Sequence, residues 1–356
     1  MSTISFDVSE KWAILVPPDT PHIKKSVEDL SRCIGLLAGD SSKPQIVPGT
    51  SDSSSLEAVI VLNNDESGPE RNGFEWRAGK TRVEIFGESG RGLCNGIYSF
   101  LTALGVSWPA PGQEKLPAKD PSLTSYPLSG GSACEPSHYE GKNPAAAPWR
   151  RYIAAGKRET GNALKNCTAF AAWAARQRFD ALIFPLAAFA SWKTGRKLKQ
   201  LKQSAAEYGI VLEAGGWDLS SLIPRRHFFF HRDSFRMDGG KREKTHHFCP
   251  TSPDAMRIMD KEGRKLFQTD MQVFHLWLDK EAETAWCSCP ACRAFTAREQ
   301  GRMGANATAD ILAAVNPGAF ITYYEKPGEV CKIPLRKNIY KIETLPQGKE
   351  THQTGN

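Results

Sequence analysis

The strongest constraint on the fold is the repeated alternation of strand-like and helix-like segments along the chain. The first third contains apolar runs typical of strands, such as WAILV (12–16) and RVEIF (82–86), separated by stretches with apolar residues at helical spacing. Alternation of this kind is typical of α/β domains. Residues 1–117 are therefore predicted to form a small N-terminal α/β domain, in which we see no cluster of catalytic residue types.

Residues 118–149 interrupt the alternation, because they are rich in Pro, Ser, Gly and Ala and indicate a linker or an extended segment. The alternation then resumes, and it predicts a (β/α) TIM-like barrel domain over residues 150–334, followed by a polar tail over 335–356. The strand-like segments of this part are RYIAAG, FDALIFPL, YGIVLEAGGW, MQVFHLWLD and GAFITYYE. They are fewer than a closed barrel requires, so we expect either an incomplete barrel or part of a longer protein.

Polar and aromatic side chains alternate with apolar ones in VFHLWLDKE (273–281). Because strand side chains point to opposite faces in turn, His275, Trp277 and Asp279 are predicted to share the face that looks into the barrel. Asp279 then lies near the carboxyl end of its strand, where barrel active sites are built. By the same rule, Glu213 and Trp217 share one face of IVLEAGGW.

Carboxylates beside aromatic rings at strand ends suit sugar chemistry, in which one acid protonates a leaving oxygen and a second group stabilises or attacks the anomeric carbon. The candidate catalytic residues are Asp279 and Glu281. The candidate substrate-binding residues are Glu213, Trp217, His275 and Trp277. A structural polar cluster at the mouth of a barrel is the alternative interpretation.

Three cysteines lie within six positions of TAWCSCPACRAF (284–295), namely Cys287, Cys289 and Cys292. A structural zinc site takes four nitrogen or sulfur ligands in a tetrahedron, so one more ligand is needed. Cys249 is the first candidate for it, and His246 or His247 follows. Reduced free thiols, an iron–sulfur cluster and a redox pair remain open alternatives to zinc.

The formal net charge of +7 is concentrated in residues 192–203 and 225–247. A solvated helix face and a basic loop explain both, and binding of an acidic ligand or of nucleic acid is the alternative. No apolar run approaches the length of a membrane span, and the start of the chain lacks the features of a secretory signal. We therefore expect no membrane partner and a cytoplasmic location.

The stretch GESGRGLCNGIYSFLTALGVSWPAPG (87–112) resembles the end of the non-catalytic N-terminal α/β domain that precedes the barrel in β-N-acetylhexosaminidases and α-glucuronidases. The residues that carry the resemblance are Gly87, Ser89, Arg91, Gly92, Gly96, Tyr98, Phe100, Leu101, Gly105 and Trp108. Residues 150–330 resemble a bacterial domain family of unproven activity, related to glycoside hydrolases and often joined to that N-terminal domain. LEAGGWDLSSLIP, FRMDGGKR, FCPTSP and HLWLDKE with WCSCPACRAF carry this second resemblance.

The resemblance implies roles for residues that match the family pattern, and two positions of this sequence depart from that pattern. The fourth barrel strand of β-N-acetylhexosaminidases has a His-x-Gly-x-Asp-Glu pattern, onto which His275, Trp277 and Asp279 fall. Lys280 stands where the acid Glu belongs, and Glu281 is the nearest substitute. Trp217 stands where a His closes the turn after the third strand.

The combined expectation is a glycoside-hydrolase-like protein that acts on or binds carbohydrate, with weak or no hydrolysis because of these departures and of the incomplete barrel. A non-catalytic carbohydrate-binding protein is the first alternative. A nucleic-acid-binding module with a zinc knuckle is the second, and it is the less favoured partner class.

Overall fold

The computed structural model describes most of the chain in two α/β parts. The described residues are 4–7, 10–18, 20, 22–39, 43–49, 56–64, 72–117, 125–128, 131–132, 150–154, 157–216, 219–277, 285–325 and 331–342. Their strands are β1 (Ile4–Asp7), β2 (Trp12–Val16), β3 (Gln45–Pro48), β4 (Ala58–Asn64), β5 (Phe74–Ala78), β6 (Arg82–Gly87), β7 (Ser125–Leu128), β8 (Gly131–Ser132), β9 (Arg151–Ile153), β10 (Ala181–Phe184), β11 (Val211–Gly216), β12 (Met237–Asp238), β13 (Lys241–Arg242), β14 (Val273–Leu276), β15 (Phe320–Tyr324) and β16 (Ile339–Ile342). Their α-helices are α1 (Lys24–Leu37), α2 (Gly90–Ala103), α3 (Lys157–Ala163), α4 (Cys167–Arg176), α5 (Leu186–Ala190), α6 (Trp192–Ala206), α7 (Pro253–Phe267) and α8 (Ala297–Val315). Among these described helices, none combines the length and the apolar character that a bilayer span requires.

The first part is a mixed sheet in the order β3-β2-β4-β6-β5-β8, in which β2, β3, β4 and β6 run parallel. Helix α2 packs on this sheet. Its N-cap, Ser89, accepts a hydrogen bond from the Gly92 amide at 3.1 Å. Gly105 follows the helix with φ +88°, the left-handed conformation that ends many helices and favours glycine.

Two short strands lie in the stretch that the sequence analysis assigned to a linker. Strand β7 pairs antiparallel with β1, and β8 pairs antiparallel with β5. The segments SYPL and GS lack an apolar alternation long enough to predict a strand. Parts of 118–149 therefore extend the N-terminal sheets.

The second part is a six-stranded sheet in the described residues, with the order β9-β10-β11-β14-β15-β16 and all neighbours parallel. The strands follow one another in chain order, and helices separate all of them except β15 and β16, between which the described residues contain no helix. This order is typical of (β/α) barrels. The predicted α/β class is confirmed, but the described residues form an open sheet and no closed barrel. Strand β16 lies in the predicted polar tail, because IYKI is flanked by basic residues that hide its short pattern.

The N-terminal part contacts the second sheet at its amino-terminal edge. Asp180, which directly precedes β10, is buried and accepts hydrogen bonds from Arg91 at 3.1 Å, Asn95 at 3.2 Å and Asn72 at 2.8 Å. The Arg91 guanidinium also donates to the Phe179 carbonyl at 2.7 Å. These contacts hold the N-terminal part against the amino-terminal edge of the second sheet.

A glycine allows the closest approach of two strands in the second sheet. Gly215 in β11 has φ +114°, and a Cβ atom built on it would lie 1.9 Å from the carbonyl oxygen of His275 in β14. An L side chain at this position would be strained by the dihedral angle and would also clash with the neighbouring backbone. The contact between β11 and β14 therefore requires glycine.

We expect Gly215→Ala to lower the free energy of unfolding by about 3 kcal/mol or more, because the methyl group would push β14 away and strain the backbone. Gly161→Ala is the matched control. Gly161 lies within α3, and a methyl group there would have no atom within 4 Å. The control change should therefore add about 0.5–1 kcal/mol. Urea denaturation of both variants measures the difference. Equal stability of the two variants would contradict this account of β11.

Candidate functional site

Four strands of the second sheet contribute to one buried polar network. The Arg151 guanidinium of β9 donates to Glu213 Oε2 of β11 at 2.8 Å, and Nε2 of His275 in β14 lies 2.8 Å from the same oxygen. Nδ1 of His275 lies 2.7 Å from the Thr322 hydroxyl of β15, which also accepts the Trp277 Nε1–H at 3.1 Å. The predicted shared face of Glu213, His275 and Trp277 therefore brings these three residues together.

The Glu213 carboxylate indicates which nitrogen of His275 carries the proton. An ionised carboxylate can only accept, so Nε2 of a neutral ring donates to Glu213. Nδ1 is then the acceptor of the Thr322 hydroxyl proton. The indole N–H of Trp277 can only donate, and it uses a lone pair of the Thr322 oxygen.

The electrostatics of the network agree with a neutral imidazole. Burial lowers the pKa of His275, although the Glu213 carboxylate opposes this effect. Burial alone would raise the pKa of Glu213, but Arg151 and His275 outweigh it and lower the pKa to about 2. At neutral pH the described part of the network therefore contains the Glu213 carboxylate and the Arg151 guanidinium, whose opposite charges favour each other in the interior.

Glu213, His275 and Trp277 are all buried in this structure. Trp277, a predicted substrate-binding residue, does not offer a ring face to solvent in this arrangement, because the indole is covered and hydrogen-bonded to Thr322. The side chains instead lie beneath the carboxyl edge of the sheet. Sequence reasoning missed Arg151 and Thr322, although each stands on the inward-facing parity of its strand.

Asp279, Glu281 and Trp217 lie outside the described residues. The backbone just before them is described: the Trp277 amide donates to the Gly216 carbonyl at 2.7 Å. The chain segments that lead to positions 217 and 278 therefore leave the sheet next to each other, at its carboxyl edge.

The four cysteines predicted as metal ligands meet at one point. The ligand atoms of Cys249, Cys287, Cys289 and Cys292 all lie within 4.8 Å of one another, and all four residues are buried. The Cys249 sulfur is 3.8 Å from that of Cys289 and 3.6 Å from that of Cys292. These separations exceed a disulfide bond, and they match the sulfur–sulfur distance of about 3.8 Å that follows from tetrahedral coordination with metal–sulfur bonds of about 2.3 Å.

Neighbouring groups orient the four-cysteine centre. The Met237 amide donates to the Cys287 sulfur at 3.2 Å, and the Arg242 guanidinium lies 3.7 Å from it. Both contacts favour a thiolate. The Thr251 hydroxyl is 3.1 Å from the Cys292 sulfur.

Gln300 of α8, which sequence reasoning did not single out as a site residue, holds the backbone of the cysteine loop. Its side-chain oxygen accepts from the Cys287 amide at 3.1 Å, and its side-chain nitrogen donates to the carbonyls of Cys287 at 3.1 Å and of Cys292 at 3.3 Å. The side chain is buried, and a buried amide with several backbone partners rigidifies the loop that carries the thiols.

The alternative ligands and the other described cysteines lie apart from the centre. His247 stacks on Trp286, with ring centroids 4.3 Å apart, and neither His246 nor His247 belongs to the group of convergent ligand atoms. Burial raises the pKa of Cys33 to about 12 and also raises the pKa of Cys94. Both are core thiols of the N-terminal part.

Solved structures with this fold include glycoside hydrolases. This structure is similar to the chitobiase of Flavobacterium johnsoniae with a TM-score of 0.57 and 13% sequence identity, over 96% of this chain and 52% of that chain. It is similar to the N-acetyl-β-hexosaminidase of Streptomyces plicatus with a TM-score of 0.50 and 12% identity, over 91% of this chain and 63% of that chain. It is also similar to a GH138 enzyme targeting pectin rhamnogalacturonan II, with a TM-score of 0.50 and 13% identity, over 93% of this chain and 38% of that chain.

The likeness at these low identities shows a glycoside-hydrolase-like fold. The chain spans about half the length of the chitobiase. No family model and no curated protein sequence matches it.

The buried network should make the stability of the fold depend on pH. Glu213 and His275 both have a lowered pKa in the fold, so the unfolded chain binds more protons and the free energy of unfolding decreases as the pH falls. The contribution of His275 should be lost as the pH falls below 6.5, its ordinary value. That of Glu213 should be lost between pH 4.5 and about 2.

Glu213→Gln should remove the second of these losses and cost about 3–5 kcal/mol at neutral pH, because it removes the carboxylate that lies 2.8 Å from the buried Arg151 guanidinium. Glu84→Gln, which breaks the exposed Arg82–Glu84 pair, should cost less than about 1 kcal/mol. Denaturant titrations from pH 7 to pH 2 measure both. A Glu213→Gln variant as stable as wild type would show that the ion pair does not have this role.

Proposed function

We propose that this chain acts on carbohydrate at the carboxyl edge of its second sheet. The observation that carries the proposal is the buried network of Arg151, Glu213, His275 and Thr322, which starts at the amino end of β9 and reaches toward that edge through His275 and Thr322. Charged groups are costly in a protein interior, and a sheet core does not need them. The network extends toward the end of the strands where barrel enzymes build active sites, which supports a functional site, and the glycoside-hydrolase-like fold supports its class.

The reaction we propose is hydrolysis of a glycosidic bond. Asp279 is the leading carboxylate, which stabilises or attacks the anomeric carbon, and Glu281 is the acid that protonates the leaving oxygen. Trp217 is proposed to contact the sugar. Glu213, His275 and Trp277 are proposed to bind substrate indirectly, by holding the backbone from which residues 217 and 278 start.

Turnover is proposed to be slow. Lys280 stands where β-N-acetylhexosaminidases carry their acid, so the proton donor has to come from a neighbouring position. Small misplacements of catalytic groups can cost about a hundredfold in rate. The similar structures are named for N-acetylhexosaminides and for pectin, so these sugars lead the substrate panel.

We expect weak release of aryl leaving groups from a panel of N-acetylglucosaminides, glucosides, galactosides and uronides, and its loss in Asp279→Asn. Asp260→Asn, at an exposed position of α7, is the matched control and should leave the rate unchanged. Rates at the usual enzyme scale of about 1 per second or faster would contradict the proposed slow turnover. Equal rates in Asp279→Asn and wild type would remove Asp279 from the mechanism.

Carbohydrate binding without hydrolysis is the second candidate, favoured by the same departure at Lys280. It predicts sugar affinity in calorimetry and no turnover with any substrate. A nucleic-acid module gains no support from the cysteine centre, because its four sulfurs are buried against Met237, Arg242 and Gln300.

We further propose that the four-cysteine centre holds one structural zinc ion. The donor set is all thiolate, which suits zinc or iron, and the short sulfur separations suit ligands that share a single ion. A cluster of several irons would hold its thiolates farther apart. Zinc would supply a closed cross-link without redox chemistry.

This cross-link would join two loops of the carboxyl edge. Cys249 belongs to the segment between β11 and α7, whereas Cys287, Cys289 and Cys292 follow β14. The Ser288 amide already pairs with the Met237 carbonyl at 2.9 Å. A metal at this point would brace the segment after Asp279 against the segment after Trp217.

Purified protein should contain about one zinc per chain, and chelation should lower its melting temperature, because a structural metal contributes directly to folding. Cys289→Ser should lose the metal. Cys331→Ser is the control, since Cys331 lies outside the centre. Elemental analysis and thermal melts measure both effects, and a metal-free wild-type protein purified without chelators would refute the zinc proposal.

A further inference from the structure

The most exposed tryptophan among the described residues lies at the carboxyl edge of the second sheet. Trp192 is 80% exposed and is the first residue of α6. Strands β10 and β11 are parallel, and α6 lies between them in the chain. The helix therefore starts at the carboxyl edge and returns toward the amino edge, so Trp192 lies on the side where the proposed carbohydrate site lies.

The turn that presents Trp192 is held by hydrogen bonds. The Thr194 hydroxyl donates to the Ala188 carbonyl at 2.5 Å, and the Gly195 amide donates to the Ser191 carbonyl at 2.7 Å. The guanidinium of Arg196 lies 5.2 Å from the centroid of the Trp192 ring. A cation above one face orients the indole while the ring remains open to solvent.

An indole held in this way suits one class of ligand. A pyranose ring presents C–H groups on one face and hydroxyl groups at its rim, so it can cover an aromatic face while its polar groups stay in water. Leaving a large aromatic surface in water is unfavourable, and covering it stabilises a complex.

The positive charges around Trp192 favour an acidic sugar over a neutral one. Helix α6 carries Lys193, Arg196, Lys197, Lys199 and Lys202 and no acidic residue. Lys202, far from Trp192, pairs with Asp270 at 2.5 Å. Within the described part of the chain, no carboxylate lies at ion-pair distance from Lys193 or Arg196, both of which are exposed. The first turn of α6 is thus an uncompensated positive site beside an aromatic face.

We propose that Trp192, Lys193 and Arg196 form an accessory binding site for a glycan that contains uronic acids. The sugar ring stacks on the indole, and its carboxylate pairs with Lys193 and with the guanidinium edge of Arg196. This inference rests on the proposed function, because it names a substrate class for the carbohydrate site at the carboxyl edge of the second sheet. It involves none of the residues assigned to hydrolysis.

The test compares binding of a galacturonic acid oligosaccharide with that of a neutral gluco-oligosaccharide of equal length, by calorimetry. Trp192→Ala should weaken binding of the acidic oligosaccharide about tenfold. Arg196→Gln should weaken it by a similar factor and reduce its dependence on salt. Phe230→Ala is the control, because Phe230 is 88% exposed but lies in the loop beside α7. All three positions are exposed, so thermal melts should show unchanged stability.

The outcomes separate this inference from the proposed function. Unchanged binding in Trp192→Ala, or equal affinity of wild type for the neutral oligosaccharide, would overturn the accessory site even if hydrolysis depends on Asp279. Weakened binding in Trp192→Ala together with no turnover in wild type would support the accessory site and leave the hydrolytic proposal refuted. Binding of the acidic oligosaccharide should be the same in Asp279→Asn as in wild type.

Discussion

The Glu213 carboxylate, held between a guanidinium and an imidazole, is the interaction on which the second sheet depends. The strand register places its partners on either side along the strands: Arg151 is level with Val211, and His275 is level with Gly215. The network therefore runs diagonally across the sheet and ties strands that are not direct neighbours. The buried carboxylate depends on these partners, because an ionised carboxyl group in the interior is costly unless it is paired and hydrogen-bonded.

The two edges of the second sheet have different partners. At the amino edge, Asp180 collects hydrogen bonds from the N-terminal part. At the carboxyl edge, loops after β11 and β14 meet at the four cysteines. The contacts with the N-terminal part and the four-cysteine centre thus lie at opposite edges of the sheet, and the Arg151–Glu213–His275 network runs between these edges.

Strand and helix identities were largely predictable because their apolar periodicity is strong, as in RVEIF and in the helix after Ser89. The convergence of Cys249 with the three later cysteines was also predictable, because a closed metal site needs a fourth ligand. Arg151 and Thr322 were not, since a single polar residue in a short strand does not reveal what lies across the sheet. The burial of Trp277 was missed for the same reason: alternation tells which face a side chain takes, but not whether that face is covered.

The spacing of the cysteines has a consequence for how the chain assembles. Cys287, Cys289 and Cys292 are close in sequence, so they could bind the proposed zinc ion before the rest of the domain is formed. Cys249 is separated from them by α7 and β14, and closing that loop costs chain entropy unless the helix and strand are already packed. Cys249 would thus bind last, and its binding would require the segments on both sides of β14 to be in their final places.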